Sequence, residues 1–244
     1  MTLRLKKSRN ITVVTGGSGR FGKILKAKNF KNFIFTNKNN LDITKLLSVE
    51  KYIKKFKPKK LIHLAGLSRP LKRHETNPSE SILLNIVGTC NLVVTCQKYN
   101  VKLIYFSTSY VYPGLKGNYN ERDPLLPSNN YAWSKLGGES AVHMYKNSLI
   151  LRACMTEKPF VHKRAFSDVF LNFIFQEEIA DLLPKIINQK GIINIGGPTK
   201  TVYAFAKKYN PEVKKITSKN IKDVNYRKNM SMNIAKLRKL LKKK

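Results

Sequence analysis

Along the first two thirds of the chain, apolar positions come in short runs that alternate with longer stretches of helical spacing. Ile11-Thr-Val-Val-Thr15 is the first run, and residues 32–36, 60–66, 101–106 and 149–154 repeat it. Runs this short, apolar at successive positions, suit strands buried on both faces of a parallel sheet. The intervening stretches, from Lys23, over residues 44–55 and 79–99, and from Tyr131 onward, have the character of helices. Strand and helix in alternation predict an α/β fold, a Rossmann-type doubly wound parallel sheet. Beyond Cys154 the alternation weakens. Residues 177–188 predict a helix, 191–196 a strand, 203–209 a helix and 234–244 a basic amphipathic helix. The expected division is a first domain over residues 1–150, for which the motifs described below imply dinucleotide binding, and a small C-terminal lobe over 151–244 for the substrate, with 156–173 as its first part and the last strands and helices interleaved.

Chemistry enters with the turn after the first run, Gly16-Gly-Ser-Gly19-Arg-Phe-Gly22. Glycines there make a tight turn, let backbone N–H groups approach a pyrophosphate at the helix N-terminus, and bring helix and strand close together. Gly16, Gly19 and Gly22 are spaced Gly-x-x-Gly-x-x-Gly, not Gly-x-Gly-x-x-Gly. The second run leads into Asn37-Lys-Asn-Asn40, which lacks the acid that would hold an adenosine 2′-hydroxyl. Lys38, or Arg20 in the turn, is placed to receive a 2′-phosphate, which favours NADPH over NADH. Asp42 or Thr44 is expected to cap the next helix; alternatively Asp42 meets the adenine amino group. The third run ends in Ala65-Gly66, past which a cofactor can lie closely, and His63 within it reads as a structural histidine. Asn85 stands on an otherwise apolar helix face and must find a partner, backbone or cofactor.

A second group lies downstream. Tyr131-Ala-Trp-Ser-Lys135 puts a phenol and an ammonium one above the other on a helix face. Free tyrosine titrates near ~10, so a nearby cation is needed to make it an effective acid at neutral pH. The fourth run ends in Ser107-Thr-Ser-Tyr-Val-Tyr-Pro-Gly114, a hydroxyl cluster at the strand end where ligands bind in open α/β sheets. A hydroxyl there can donate to a substrate carbonyl while the tyrosine gives it a proton.

Composition adds a rival. Lys+Arg 47 against Asp+Glu 14 gives a net charge of +33, which predicts attraction to polyanions. The lysines are spread through nearly every segment instead of forming one arm or stripe, so specific nucleic-acid binding is not expected and an anionic small substrate is the better-motivated partner. Cys90, Cys96 and Cys154 have no metal-ligand spacing and read as buried thiols in a reducing compartment; no metal is expected. The first ten residues are basic without the apolar run of a signal peptide, and no stretch has the ~18 uninterrupted apolar residues of a membrane span. A soluble cytoplasmic protein without a membrane partner is the expectation.

Taken together, Thr15-Gly-Gly-Ser-Gly-Arg-Phe-Gly22, His63-Leu-Ala-Gly66, Asn85-Ile-Val-Gly-Thr89, Ser107-Thr108 with Val111-Tyr112, Tyr131-x-x-x-Lys135 and Asn194-Ile-Gly-Gly197 resemble the extended short-chain dehydrogenase/reductase family. The similarity covers roughly residues 11–200 and is nearest the sugar-nucleotide epimerases, dehydratases and reductases, in particular the dTDP-4-dehydrorhamnose reductase-like branch. It implies Tyr131 as general acid/base, Lys135 lowering its pKa and holding the nicotinamide ribose, and Thr108 binding the substrate oxygen. It further implies Gly16, Gly19, Arg20, Phe21 and Gly22 at the pyrophosphate, Asp42 and Ile43 at the adenine, and Ala65, Gly66 and Asn85 along an NADP or NAD cofactor. The implied reaction is reduction of a 4-keto(-6-deoxy) nucleotide sugar. A 4-epimerase of the same family and a non-catalytic NAD(P)-binding scaffold are the alternatives, and a homodimer is the implied assembly. Ser109 stands where that branch usually has an aspartate. Tyr110 stands where the GDP-fucose synthase-like enzymes have an acid/base cysteine, which disfavours built-in 3,5-epimerisation, and the dehydratase acid pair beside Thr108 is missing.

Overall fold

The computed structural model describes residues 10–220 and 227–242. The basic stretch at residues 1–9 and the last two lysines of the expected tail helix lie outside the described residues. The elements in chain order begin with β1 (Thr12–Thr15), α1 (Arg20–Ala27), β2 (Phe33–Phe35), α2 (Leu46–Phe56), β3 (Lys60–His63) and α3 (Leu71–Thr76). A continuous helical run follows, α4 (Pro78–Ser81), a π-helical stretch (Ile82–Val87) and α5 (Gly88–Lys98), and then β4 (Lys102–Thr108) and a 3-10 turn (Ser109–Val111). Helix α6 (Asn130–His143) leads to β5 (Ser148–Ala153), β6 (Met155–Thr156), β7 (Arg164–Phe166), β8 (Phe170–Leu171) and β9 (Ile174–Phe175). The chain closes with α7 (Gln176–Ile186), β10 (Gly191–Ile195), β11 (Lys200–Thr201), α8 (Val202–Tyr209), β12 (Lys214–Ile216) and α9 (Ala235–Lys242).

Six parallel strands form the central sheet in the order β10-β5-β4-β3-β1-β2. Alternate side chains of each strand feed two separate cores. Val14, Ile62, Ile104, Leu149 and Leu151 enter the layer that holds α1 and α7. Val13, Leu61, Leu103, Tyr105 and Ile150 enter the layer of α2 and α5. This burial on both faces is why the strands are legible as unbroken apolar runs. The winding reverses between β1 and β3, the switch point at whose carboxyl-end crevice open α/β sheets bind ligands.

Two expectations change. Neither Asp42 nor Thr44 caps α2. Its N-cap is Lys45, with no side-chain bond, because the Asp42 carboxylate accepts from the Thr44 N–H (3.0 Å) and hydroxyl (2.7 Å) in a closed local turn. The segment after β5 carries five short strands, β6–β9 and β11, and a three-residue β12 that pairs in parallel with β7. Elements of two or three residues have no periodicity to detect. Apart from these, the run Pro78–Lys98 is long and apolar enough, by length and mean hydropathy alone, to cross a membrane. Here it packs as a layer of the domain: Asn91 donates to the Ile43 carbonyl (2.9 Å), and Tyr145 on the loop after α6 donates to the Cys96 carbonyl (3.1 Å).

Candidate active site

The glycine turn is built by contact. Gly16 has φ +70°, and a Cβ on it would lie 2.6 Å from the Ala65 nitrogen. A Cβ on Gly22 would meet the Gly16 carbonyl at 2.4 Å, so the first turn of α1 sits directly on the end of β1. Gly19 is the N-cap of α1 and has no side chain to occupy the first-turn N–H groups. That arrangement fits a pyrophosphate. Phe21 turns its ring into the core against Phe106 (5.2 Å between centroids), so at this turn it offers only backbone.

At the end of β2, Asn37 accepts from the Asn39 and Asn40 N–H groups, closing a turn on which Lys38 is exposed. The Asp42 carboxyl is held below its ordinary range, chiefly by the Thr44 hydrogen bond. Ile43 is buried, its side chain against Gly88.

At the end of β3, His63 is structural, as its apolar setting predicts. It bridges the Thr15 hydroxyl at Nδ1 (2.9 Å) and the Thr89 hydroxyl at Nε2 (3.0 Å), and burial drops its pKa to about 3. Thr89 spends its one hydroxyl proton on the Asn85 carbonyl (2.7 Å), which leaves His63 Nε2 to donate. Asn85, in the π-helical stretch, finds the backbone. Its Oδ1 accepts from the Leu67 N–H (2.8 Å), and its Nδ2 donates to the Leu67 carbonyl (2.9 Å) and to the Ser134 hydroxyl (2.8 Å). At 1% exposure it acts on the cleft by fixing the Gly66–Leu67 backbone to helix α6. Asn85→Leu should therefore orphan two buried polar groups, the Leu67 N–H and carbonyl, and urea denaturation should register a loss on the order of 2 kcal/mol or more.

Helix α6 begins where Asn129 accepts from the Ala132 N–H (2.9 Å), which places Tyr131 in the first turn beside the end of β4. The Thr108 side chain, on the last residue of β4, acts on the Tyr131 phenol as a hydrogen-bonding group that opposes the effect of burial. The ring lies between His74 (centroids 5.1 Å) and Tyr110 (6.4 Å), both edge-on. Lys135, one turn on, holds its ammonium over the Tyr105 ring, 4.1 Å from the centroid, while the Tyr105 hydroxyl donates to the Lys135 carbonyl (2.9 Å). Thr108 at the end of β4 and Tyr131 and Lys135 on consecutive turns of α6 thus lie on neighbouring elements.

The electrostatics differ from expectation. Burial raises the Tyr131 phenol above its ordinary value, and the Thr108 bond and the Arg69 charge oppose it. Burial pulls the Lys135 amine down to about 7, with the Glu139 carboxylate acting against it. Each group is pushed towards its neutral form. The cation that the phenol feels in this state is Arg69, to which a protonated Lys135 would add.

Arg69 was not legible from the sequence, nor was its partner. Glu157, after β6, accepts from Arg69 (3.2 Å) and pairs with Arg20 of the glycine turn (2.9 Å), so Arg20 points across the cleft to the C-terminal lobe. No pattern relates residues so far apart. His74 and Tyr110 were likewise missed as neighbours of Tyr131, because both approach from loops and short helices. Among the described residues no cluster of three or more potential metal ligands occurs.

The chain is similar to several known proteins. A dTDP-4-keto-6-deoxy-D-glucose reductase of Streptomyces niveus is 30% identical over 135 residues, covering 53% of this chain and 46% of the relative. The methionine adenosyltransferase 2 subunit beta of Xenopus tropicalis is 35% identical over 113 residues, covering 46% and 34%. The chain therefore spans about half or less of the length of these curated relatives. In fold, it superposes on the NADP complex of a dTDP-4-dehydrorhamnose reductase from Bacillus anthracis with a TM-score of 0.82, at 21% identity, covering 94% of this chain and 91% of that one. Residues 10–180 match the RmlD substrate binding domain family, and the chain belongs to that family.

Proposed function

We propose that the protein is an NAD(P)-dependent oxidoreductase that reduces a 4-keto(-6-deoxy) nucleotide sugar. The observation that carries this reading is the convergence of Thr108, Tyr131 and Lys135 outside β4, one crevice away from the glycine turn. A bound dinucleotide would supply the hydride. Thr108 and Tyr131 hold the carbonyl oxygen between two hydroxyls, and Tyr131 delivers the proton to it as the carbon is reduced. Lys135 holds the nicotinamide ribose and, when protonated, stabilises the phenolate left behind. Gly16, Gly19, Arg20, Phe21 and Gly22 cradle the pyrophosphate, Asp42 and Ile43 border the adenine, and Ala65 and Gly66 line the nicotinamide side with Asn85 behind them. The acid-free turn at Lys38 supports NADPH over NADH. Residues 151–244 form the substrate lobe, although the described β10 within them returns to the central sheet.

The test is oxidation of NADPH on adding 4-keto nucleotide sugars, with NADH as the comparison. Faster turnover with NADPH is expected, and cofactor binding without oxidation by any of them would contradict the reading. The relatives named as a methionine adenosyltransferase subunit favour a second reading, a non-catalytic dinucleotide-binding scaffold, which predicts that latter outcome. Free thiols at Cys90, Cys96 and Cys154 support a reducing, cytoplasmic setting. A homodimer fits the apolar surface exposed by Ile82, Leu83, Val87, Val94 and Trp133 on adjoining helices. Sedimentation should give twice the monomer mass, and a monomer at working concentration would oppose it.

A further inference from the structure

Glu139 follows Lys135 by four residues on α6, and the structure gives it an unusual balance of partners. Its side chain and that of Arg152 are each 3% exposed. Arg152 donates through Nε (3.0 Å) and Nη2 (2.6 Å), and both bonds go to the same oxygen, Oε1. The other oxygen, Oε2, is buried with no hydrogen-bond partner. Helical side chains lean towards the N-terminus over the preceding turn, and for Glu139 that turn carries Lys135.

Arg152 is itself fixed. Its Nη1 donates to the Tyr112 hydroxyl (2.8 Å) and the Glu121 carbonyl (3.1 Å). Tyr112 passes its proton-side bond to Asn194 Oδ1 (2.8 Å) on β10, and Asn194 Nδ2 donates to the Tyr119 and Asn233 carbonyls. A single buried network thus runs from α6 through β5 to β10, the far edge of the sheet, and to the segment before α9.

We propose that Glu139 is a positioning residue, the counter-charge to the Lys135 ammonium, and that through Arg152 the sheet edge fixes the place and charge of Lys135. The inference rests on the function proposed above for Lys135. The other titratable groups facing Lys135 bring no compensating charge. Tyr105 on β4 offers its ring face, and His63 on β3 is neutral in its threonine bridge. Tyr131 shares its helix and is raised towards the phenol form. On the neighbouring helices, Cys90 lies on α5, Glu80 on α4 pairs with Arg73, and on α3 His74 meets the Tyr131 ring edge-on while Glu75 accepts from the Asn130 N–H at the start of α6. Glu139 is the carboxylate that acts on Lys135.

The test reads Lys135 directly. In protein labelled with 13C at lysine Cε, the Lys135 resonance is the one lost in Lys135→Met, and its titration midpoint should lie near 7. Glu139→Gln should lower the midpoint by about one pH unit, a tenfold change in the ionisation constant. Should Glu139→Gln fail to fold, the charge-balanced pair Glu139→Gln with Arg152→Met gives the same readout, and Glu139→Asp should restore a midpoint near that of the parent. An unchanged midpoint in a folded variant would overturn the proposal. The alkaline limb of the kcat/KM profile should move with the midpoint. A moved midpoint in a protein without turnover would leave the Glu139 assignment standing and count against the reductase reading alone.

Discussion

Replacing Tyr131 with phenylalanine should lower kcat by about two to four orders of magnitude, the usual contribution of a positioned general acid. NADPH affinity should stay as it was. The substitution removes one oxygen from a ring already held edge-on by His74 and Tyr110, so the packing survives. What is lost is the hydroxyl on which the Thr108 side chain acts at the end of β4. Steady-state rates with a 4-keto nucleotide sugar, beside a fluorescence titration with NADPH, separate the two effects. Retained turnover would move the acid elsewhere in the crevice; a collapse of cofactor binding would make Tyr131 a structural residue.

The largest expected effect on stability comes from Arg152→Met. It leaves the Glu139 carboxylate buried without its partner, and breaking one side of such a pair costs about 3–5 kcal/mol. For a chain of this size that corresponds to a Tm lower by roughly 6–20 °C. Removing both charges, with Glu139→Leu added, should recover most of the loss, because a buried ion pair contributes little over an apolar pair of similar volume. Thermal denaturation of the two variants beside the parent decides this. Equal losses in both would mean that the Tyr112 and Asn194 bonds, not the unpaired charge, dominate.

Both effects trace back to features that differ in how well the sequence reveals them. Strands buried on two faces announce themselves, as Leu149-Ile-Leu-Arg152-Ala does for β5 and Gly191-Ile-Ile-Asn-Ile195 for β10. The polar residue inside each of those runs was also a signal, since a buried arginine or asparagine requires partners. The sequence does not say which partners, and the network joining Arg152, Tyr112 and Asn194 is closed only by the fold. The glycine turn and the Tyr131–Lys135 spacing are local, and the structure puts them where local rules place them. Contacts across the cleft are another matter: Arg69 and Glu157 are 88 positions apart, and Arg20 meets Glu157 only because the fold brings the residue just after β6 to the glycine turn. The short strands of the C-terminal lobe are held by tertiary pairing, not by pattern, and so stayed hidden.

The sign of the Lys135 perturbation was hidden for a related reason. Spacing predicts that the ammonium lies near the phenol, but burial acts on both groups and favours their neutral forms. Whether the pair works as an acid at neutral pH then depends on charges from outside the motif, Arg69 on one side and Glu139 on the other.

Transfer of label from NADPH deuterated at the nicotinamide C4 to the sugar tests the central claim most directly. The account predicts a reduced nucleotide sugar that carries the deuterium at the former carbonyl carbon, with one NADP formed for each product. Product lacking the label, or no product from a protein that binds NADPH, would contradict it.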